Sequence, residues 1–265
     1  MSLDHFMQHL VTAGRDARAT FDEFVAYAKT DPQILGLVLS GSQAREGMAT
    51  AHSDYDVYVV LRDDAPDALL SLGDFRSPNL DLAVIKLEGF RSYGLPADAT
   101  FWEAYAFAGA QIVYDAVDGL IGDLVARKTR LDESEAYQRV ADYLDAYANS
   151  MYRALKNLRD GRRTAALMDA AESVPCLLTV VFALHRRIRP YNKYLEWELG
   201  QRPLPGACWA ADVLLPQLER IRADADPATQ RALFIEVESA ARAQGHGPML
   251  DGWGEELHFL RGESR

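Results

Sequence analysis

Cysteine is scarce in this 265-residue chain: only Cys176 and Cys208 occur, and Cys176 lies inside an apolar run. Thiols used this way exclude a disulfide-stapled scaffold and point to a reducing, cytoplasmic compartment. Basic residues are in deficit, 28 Lys+Arg against 39 Asp+Glu, which gives a formal net charge of -11. Such a surface repels phosphate backbones and anionic membranes, so neither a nucleic acid nor a membrane is expected as a partner, while a cationic ligand is favoured. Long apolar runs are missing too. The longest, Val174 to Leu184, is closed by His185-Arg186-Arg187, well short of the roughly 20 residues that cross a bilayer. Asp4, Arg15, Asp16, Arg18, Asp22 and Glu23 interrupt the N-terminal segment, which therefore lacks the apolar core of a signal peptide. The six histidines show no metal-ligand spacing, and there is no internal repeat or low-complexity tract.

What is present is a hydrophobic content of 49%, enough to fill a real core. Phe6, Leu10, Phe21, Phe24 and Val25 recur at helical spacing, so Leu3 to Lys29 reads as one helix or two, ended by Asp31-Pro32. Ile34 to Leu39, Tyr55 to Leu61 and Leu80 to Leu87 are β-branched and aromatic runs that suit strands. Ala65 to Leu72 and the stretch after Glu88 read as helix or loop. From Ala116 onward helical patterns take over: Leu131 to Asp160, Arg163 to Arg189, Tyr191 to Leu199, Cys208 to Ala223 and Ala228 to Ala243. Asp160-Gly161, Arg189-Pro190 and Asp226-Pro227 fall between them as punctuation. The expected architecture is α+β or α/β: an N-terminal domain with a mixed sheet over 1–120, then an all-α helical bundle over 121–265, with the boundary between 115 and 130.

Chemistry concentrates between Leu37 and Leu61. A strand ends in Gly41-Ser42, and Asp54 and Asp56 then stand at alternate positions at the start of the next strand. Residues i and i+2 of a strand project to one face, so both carboxylates aim at one spot while Tyr55 and Val57 turn away. Converging carboxylates repel each other unless a cation lies between them, and hard oxygen ligands suit Mg²⁺ carrying a nucleoside triphosphate. Asp81, between Leu80 and Leu82, adds a third carboxylate where burial is costly without a metal or hydrogen bonds. With the glycine turn, these compose a two-metal phosphoryl- or nucleotidyl-transfer site. Gly41 lets the backbone approach phosphates, Ser42 offers its hydroxyl, and the turn is expected to open a short helix that places Arg45 within reach of the same phosphates. Asp54 and Asp56 hold both ions, and Asp81 holds the catalytic one or accepts the proton of the attacking hydroxyl. The alternatives are plain: a solvated strand edge for the pair, a salt-bridged carboxylate for Asp81 and a surface ion pair for Arg45.

Gly41-Ser42, then Ser53-Asp54-Tyr55-Asp56 twelve residues on, and Asp81 in an apolar strand resemble the signature of the DNA polymerase β-like nucleotidyltransferase superfamily. Within it the chain most resembles the small-molecule branch, such as the aminoglycoside and lincosamide nucleotidyltransferases. The motif covers residues 34 to 87. The resemblance implies transfer of AMP from ATP, with two Mg²⁺ ions, to a hydroxyl of a small acceptor, an aminoglycoside-like antibiotic being favoured, and hence a role in antibiotic resistance. Glu172 to Trp197 resembles the bundle segment of aminoglycoside adenylyltransferases, which implies that Lys193 contacts the triphosphate and that Glu172 faces the acceptor, where it competes with Asp81 as general base. Trp102 is a candidate wall for the acceptor or the base. The competing readings are a solvated lysine for Lys193 and a bundle-surface acid for Glu172. Nucleotidyl transfer to a partner protein, as in antitoxin-type members, and an inactive nucleotide-binding regulator are the alternative functions. The oligomeric state, monomer or homodimer, stays open.

Overall fold

A computed structural model describes residues 16–74, 77–96 and 101–263, without the side chains at 72, 74, 101 and 102. The chain divides into two compact units, Met1–Thr129 and Arg130–Arg265. The first is α+β and the second is helical.

In the first unit, α1 (Ala17–Ala28) starts at Asp16, whose carboxylate accepts from the Arg18 N–H and so satisfies one of the donors left open at a helix start. Residues 3–15 of the helix expected from the sequence lie outside the described residues. Strands β1 (Ile34–Leu39), β2 (Tyr55–Leu61), β3 (Leu80–Lys86) and β4 (Gln111–Asp115) form one sheet in the order β3-β2-β1-β4. β1 runs antiparallel to β2 and β4, whereas β2 and β3 are parallel. The β2–β3 crossover contains a 3-10 helix over Asp67–Asp74. Strand β4 lies where the sequence pattern predicts helix or loop. Its sequence, QIVYD, carries exposed Gln111 and Ile112 at a sheet edge, so neither strict alternation nor an apolar run marks it.

Period-2 alternation sorts the sheet into two faces. Leu37, Leu39, Tyr55, Val57, Val59, Leu61, Leu80 and Leu82 pack with Phe21 and Phe24 of α1, and Tyr55 stacks on Phe21 at 4.3 Å. On the other face, Val38, Tyr58 and Val60 meet Phe90, Phe107, Ile121 and Val125. These come from α2 (Leu87–Ser92), the segment after α3 (Phe101–Ala106), and α4 (Leu120–Lys128). Gly36 lets α4 approach β1 closely, because a Cβ there would stand 2.6 Å from Ile121 Cγ1. Helix α4 thus belongs to the sheet's own unit.

The second unit contains α5 (Glu133–Arg159), α6 (Arg163–Leu184), α7 (Leu195–Gln201), α8 (Ala211–Asp224), α9 (Pro227–Ala243), α10 (Gly247–Asp251) and α11 (Glu255–Arg261). Asp132 and Glu135 form a reciprocal capping box at the start of α5. Gly161, at φ +72°, turns the chain from α5 into α6. Glu198 is 1% exposed and accepts from Arg187 and Arg202 at 2.5 Å each. Burial raises its carboxyl, but the two guanidinium hydrogen bonds outweigh this and hold it below the ordinary glutamate range. Helix α6 is longer than the apolar run within it. By length and composition, with mean hydropathy 1.7, it is the one described helix that could cross a membrane, and 61% of that window is buried. Cys176 and Cys208 are free thiols.

Candidate functional site

The parallel ladder between β2 and β3 puts Asp56 directly opposite Asp81. Partners in such a ladder share a face and their strands lie about 4.8 Å apart. Both side chains therefore leave the sheet on the face of Tyr58, Val60 and Ile85, at the end where β2 and β3 begin. Strand β1 ends there as well, since Leu39 pairs with Val57 and the Ser40 N–H donates to the Asp56 carbonyl at 2.8 Å.

Gly41 follows, at φ +63°, and its Cα lies so close to Asp56 that an added Cβ would stand 1.8 Å from Oδ2. Only glycine suits that position on both grounds, backbone conformation and space. The turn does not open a helix, as the sequence reading expected. Residues 41–48 are successive turns, with Arg45 N–H donating to Ser42 O and Met48 N–H to Arg45 O. An anion at this turn would meet loop amides and no helix dipole.

Ser42 is 5% exposed, and its hydroxyl donates to the Ser53 hydroxyl at 3.0 Å. Ser53 in turn accepts from the Thr50 N–H at 2.9 Å, and its carbonyl accepts from Gln43 at 3.2 Å. The two ends of the loop between β1 and β2 are thereby tied together beside Asp54. Asp54 is half-buried and precedes the first residue of β2, so the ladder that registers Asp56 with Asp81 does not fix it. Among the described residues no three Asp, Glu, His or Cys side chains are gathered closely enough to hold a metal ion. The Mg²⁺ implied by the resemblance is thus met in donor type and in register by Asp56 and Asp81, while Asp54 is not drawn into one ligand set with them.

Arg45 is directed at backbone carbonyls. It is 2% exposed, and its guanidinium donates to the Gly41 carbonyl at 2.6 Å, to the Ala108 carbonyl in a short contact and more distantly to Tyr105 O at 3.4 Å. It also lies 5.1 Å from the centre of the Tyr105 ring. The fork that suits phosphate oxygens here braces the glycine turn against the segment between α3 and β4. Ser40 donates to Ala106 O, in the last residue of α3, at 2.7 Å, and Gln111 of β4 donates to Ala44 O at 2.8 Å. Sequence reasoning missed Ser40 and Gln111. A buried serine between Leu39 and Gly41 was a signal of a kind, but Gln111 sat on an unrecognised strand.

Glu172 and Lys193 lie in the second unit, each with a partner there. Glu172 accepts from Arg153 at 2.8 Å across the surface of α5 and α6, and Arg153 also reaches Asp169 at 3.1 Å. Lys193, in a 3-10 turn over Asn192–Tyr194, holds its ammonium 4.9 Å from the centre of the Tyr194 ring. The Trp102 side chain lies outside those described.

The chain matches no protein-family model, and no curated protein matches it significantly. Among solved structures it is similar to a nucleotidyltransferase-like protein from Exiguobacterium sibiricum, with 15% identity, 94% of this chain and 81% of that chain covered, and a TM-score of 0.38. A likeness of that size carries no argument about activity, which rests on the residues themselves.

Proposed function

We propose that this protein transfers a nucleoside monophosphate, AMP from ATP in the first instance, to a hydroxyl group of a small molecule and releases pyrophosphate. The observation that carries the reading is the register of Asp56 with Asp81 on parallel strands, with the Gly41 turn packed against the Asp56 carboxylate. Asp56 and Asp81 would hold Mg²⁺, which when bound neutralises triphosphate charge and acidifies the acceptor hydroxyl. Asp54 supports them at the mouth of β2, and the Gly41-Ser42 amides receive phosphate oxygens. The acceptor oxygen attacks the α-phosphorus as the bond to the bridging α–β oxygen breaks, and pyrophosphate leaves. The hydroxyl proton passes to a carboxylate. Asp81 is favoured over Glu172 for this task, because Asp81 shares a register with Asp56 whereas Glu172 is bonded to Arg153 on the helical unit. Lys193 is assigned to the triphosphate and Trp102 to the acceptor wall. The net charge of -11 favours a polycationic acceptor of the aminoglycoside kind, and with it a cytoplasmic role in antibiotic resistance.

One observation favours a second reading, a nucleotide-binding regulator without turnover: Asp54, Asp56 and Asp81 do not form one ligand group. The test is pyrophosphate release with Mg²⁺ and each nucleoside triphosphate across a panel of aminoglycosides, lincosamides and other hydroxyl-bearing molecules, beside Asp56→Asn and Asp81→Asn. Acceptor-dependent release that both substitutions abolish is the expected result. Tight nucleotide binding with no release for any acceptor would replace transfer with regulation, and label incorporated into a protein would move the acceptor to a partner.

A further inference from the structure

A shallow depression of about 500 Å³ lies on the helical unit between α5 and the turn joining α10 to α11. Asp145, Asn149 and Tyr152 face it from one stripe of α5, at i, i+4 and i+7. Trp253 and Glu256 face it from the other side, and Gly252 contributes no side chain to fill it. The Tyr152 and Trp253 rings meet at 67° with centroids 5.7 Å apart, two walls of a corner. The Trp253 indole N–H donates to Asp145 Oδ1 at 3.0 Å, which fixes the ring and leaves a carboxylate at the corner's edge.

The same aromatic cluster shows what its ring faces attract. Phe259 packs on Tyr152 at 5.6 Å; Lys156 lies 5.0 Å from the Tyr152 centroid, and Arg159 and Arg231 lie 6.0 and 5.8 Å from that of Phe259. Those rings are supplied with cations by the chain itself. The lining of the depression adds two carboxylates, Asp145 and Glu256, and holds no lysine, arginine or histidine. Aromatic faces and carboxylates around one space suit a soft cation whose charge is spread over methyl groups, which loses little hydration on entry.

The geometry points to a binding site for a small organic cation of the quaternary-ammonium class, seated against Tyr152 and Trp253 with Asp145 and Glu256 balancing its charge. The inference requires neither nucleotide nor magnesium and stands apart from the transferase reading. It is tested on the full chain in 150 mM KCl by saturation-transfer NMR on the methyl protons of choline, with uncharged 3,3-dimethyl-1-butanol as the shape-matched control. Choline should bind saturably and the alcohol at least about tenfold more weakly, since the shapes match and only the charge differs. Glu256→Gln should weaken choline about threefold and Trp253→Leu about tenfold. Glu256 is exposed, so its substitution leaves the fold intact even if loss of Trp253 disturbs the α10–α11 turn. Equal binding of the alcohol, choline affinity unchanged in Glu256→Gln, or no saturation by 50 mM would each overturn the assignment.

Discussion

Replacing Arg45 with lysine separates the two roles this side chain could have. In the structure its guanidinium makes two close bonds, to Gly41 O and Ala108 O, and a long one to Tyr105 O, with the whole side chain buried. A hydrogen bond from a charged donor contributes about 1.5–3 kcal/mol, and leaving a buried carbonyl unpaired costs a similar amount. Lysine keeps the charge but is a point donor that can restore one of the two close bonds and not the fork. The expected net loss is therefore about 2–4 kcal/mol. At roughly 3 °C per kcal/mol for a chain of this size, that lowers Tm by on the order of 10 °C. Thermal melting gives the shift, and amide hydrogen exchange should place the added opening in the Gly41–Arg45 turn and the segment before β4. A nucleotide KM raised manyfold with Tm within about 2 °C of the parent would refute the bracing role and return Arg45 to the phosphates.

Two further substitutions probe the first unit. Gly41→Ala adds a Cβ at φ +63° and 1.8 Å from Asp56 Oδ2; the strain should cost about 1–2 kcal/mol. Because the Asp56 carboxylate must shift by about 1 Å, pyrophosphate release should fall about 100-fold, and a folded Gly41→Ala protein with full turnover would remove Asp56 from the chemistry. Lys128 is fully buried, donates to Arg91 O at 3.0 Å and lies 5.1 Å from the Phe90 centroid, while burial, aided by Arg127, pulls its ammonium down from 10.5 to about 8. Between those two values the unfolded chain binds the extra proton, so stability should rise as pH climbs from about 8 toward 10.5. Lys128→Met should flatten that rise and raise stability at pH 7 by about 1–2 kcal/mol, less than the full burial cost because Arg91 O loses its donor. Urea titrations at pH 7 and 9.5 measure both, and a less stable Lys128→Met at pH 7 would show that the cation–π and carbonyl contacts outweigh desolvation.

Much of the first unit's site was legible because its grammar is local. The half-burial of Asp56 between buried Tyr55 and Val57 agrees with period-2 alternation, whereas Asp54 precedes β2 and falls outside that pattern. The helical second half was equally local, a matter of 3.6-residue periodicity and Gly and Pro punctuation. What alternation could not give is pairing. That Asp81 stands opposite Asp56, not two residues away, depends on a parallel crossover over residues 62–79 whose register is set by packing on both faces of the sheet. Arg45 shows the same limit, since two of its three carbonyl partners lie 60 and 63 positions along the chain. Neighbours in sequence suggested a phosphate ligand, and only the folded chain brings those carbonyls to it. Strand β4 escaped notice because its outer residues face solvent at the edge and carry no apolar signal. Sequence alone therefore determined which residue types face one another within each strand and helix, where backbone geometry imposes the period. Tertiary structure decided which strands meet, which carboxylates share a register and which buried charge braces a loop, because those contacts join distant segments that only the packed core holds in place.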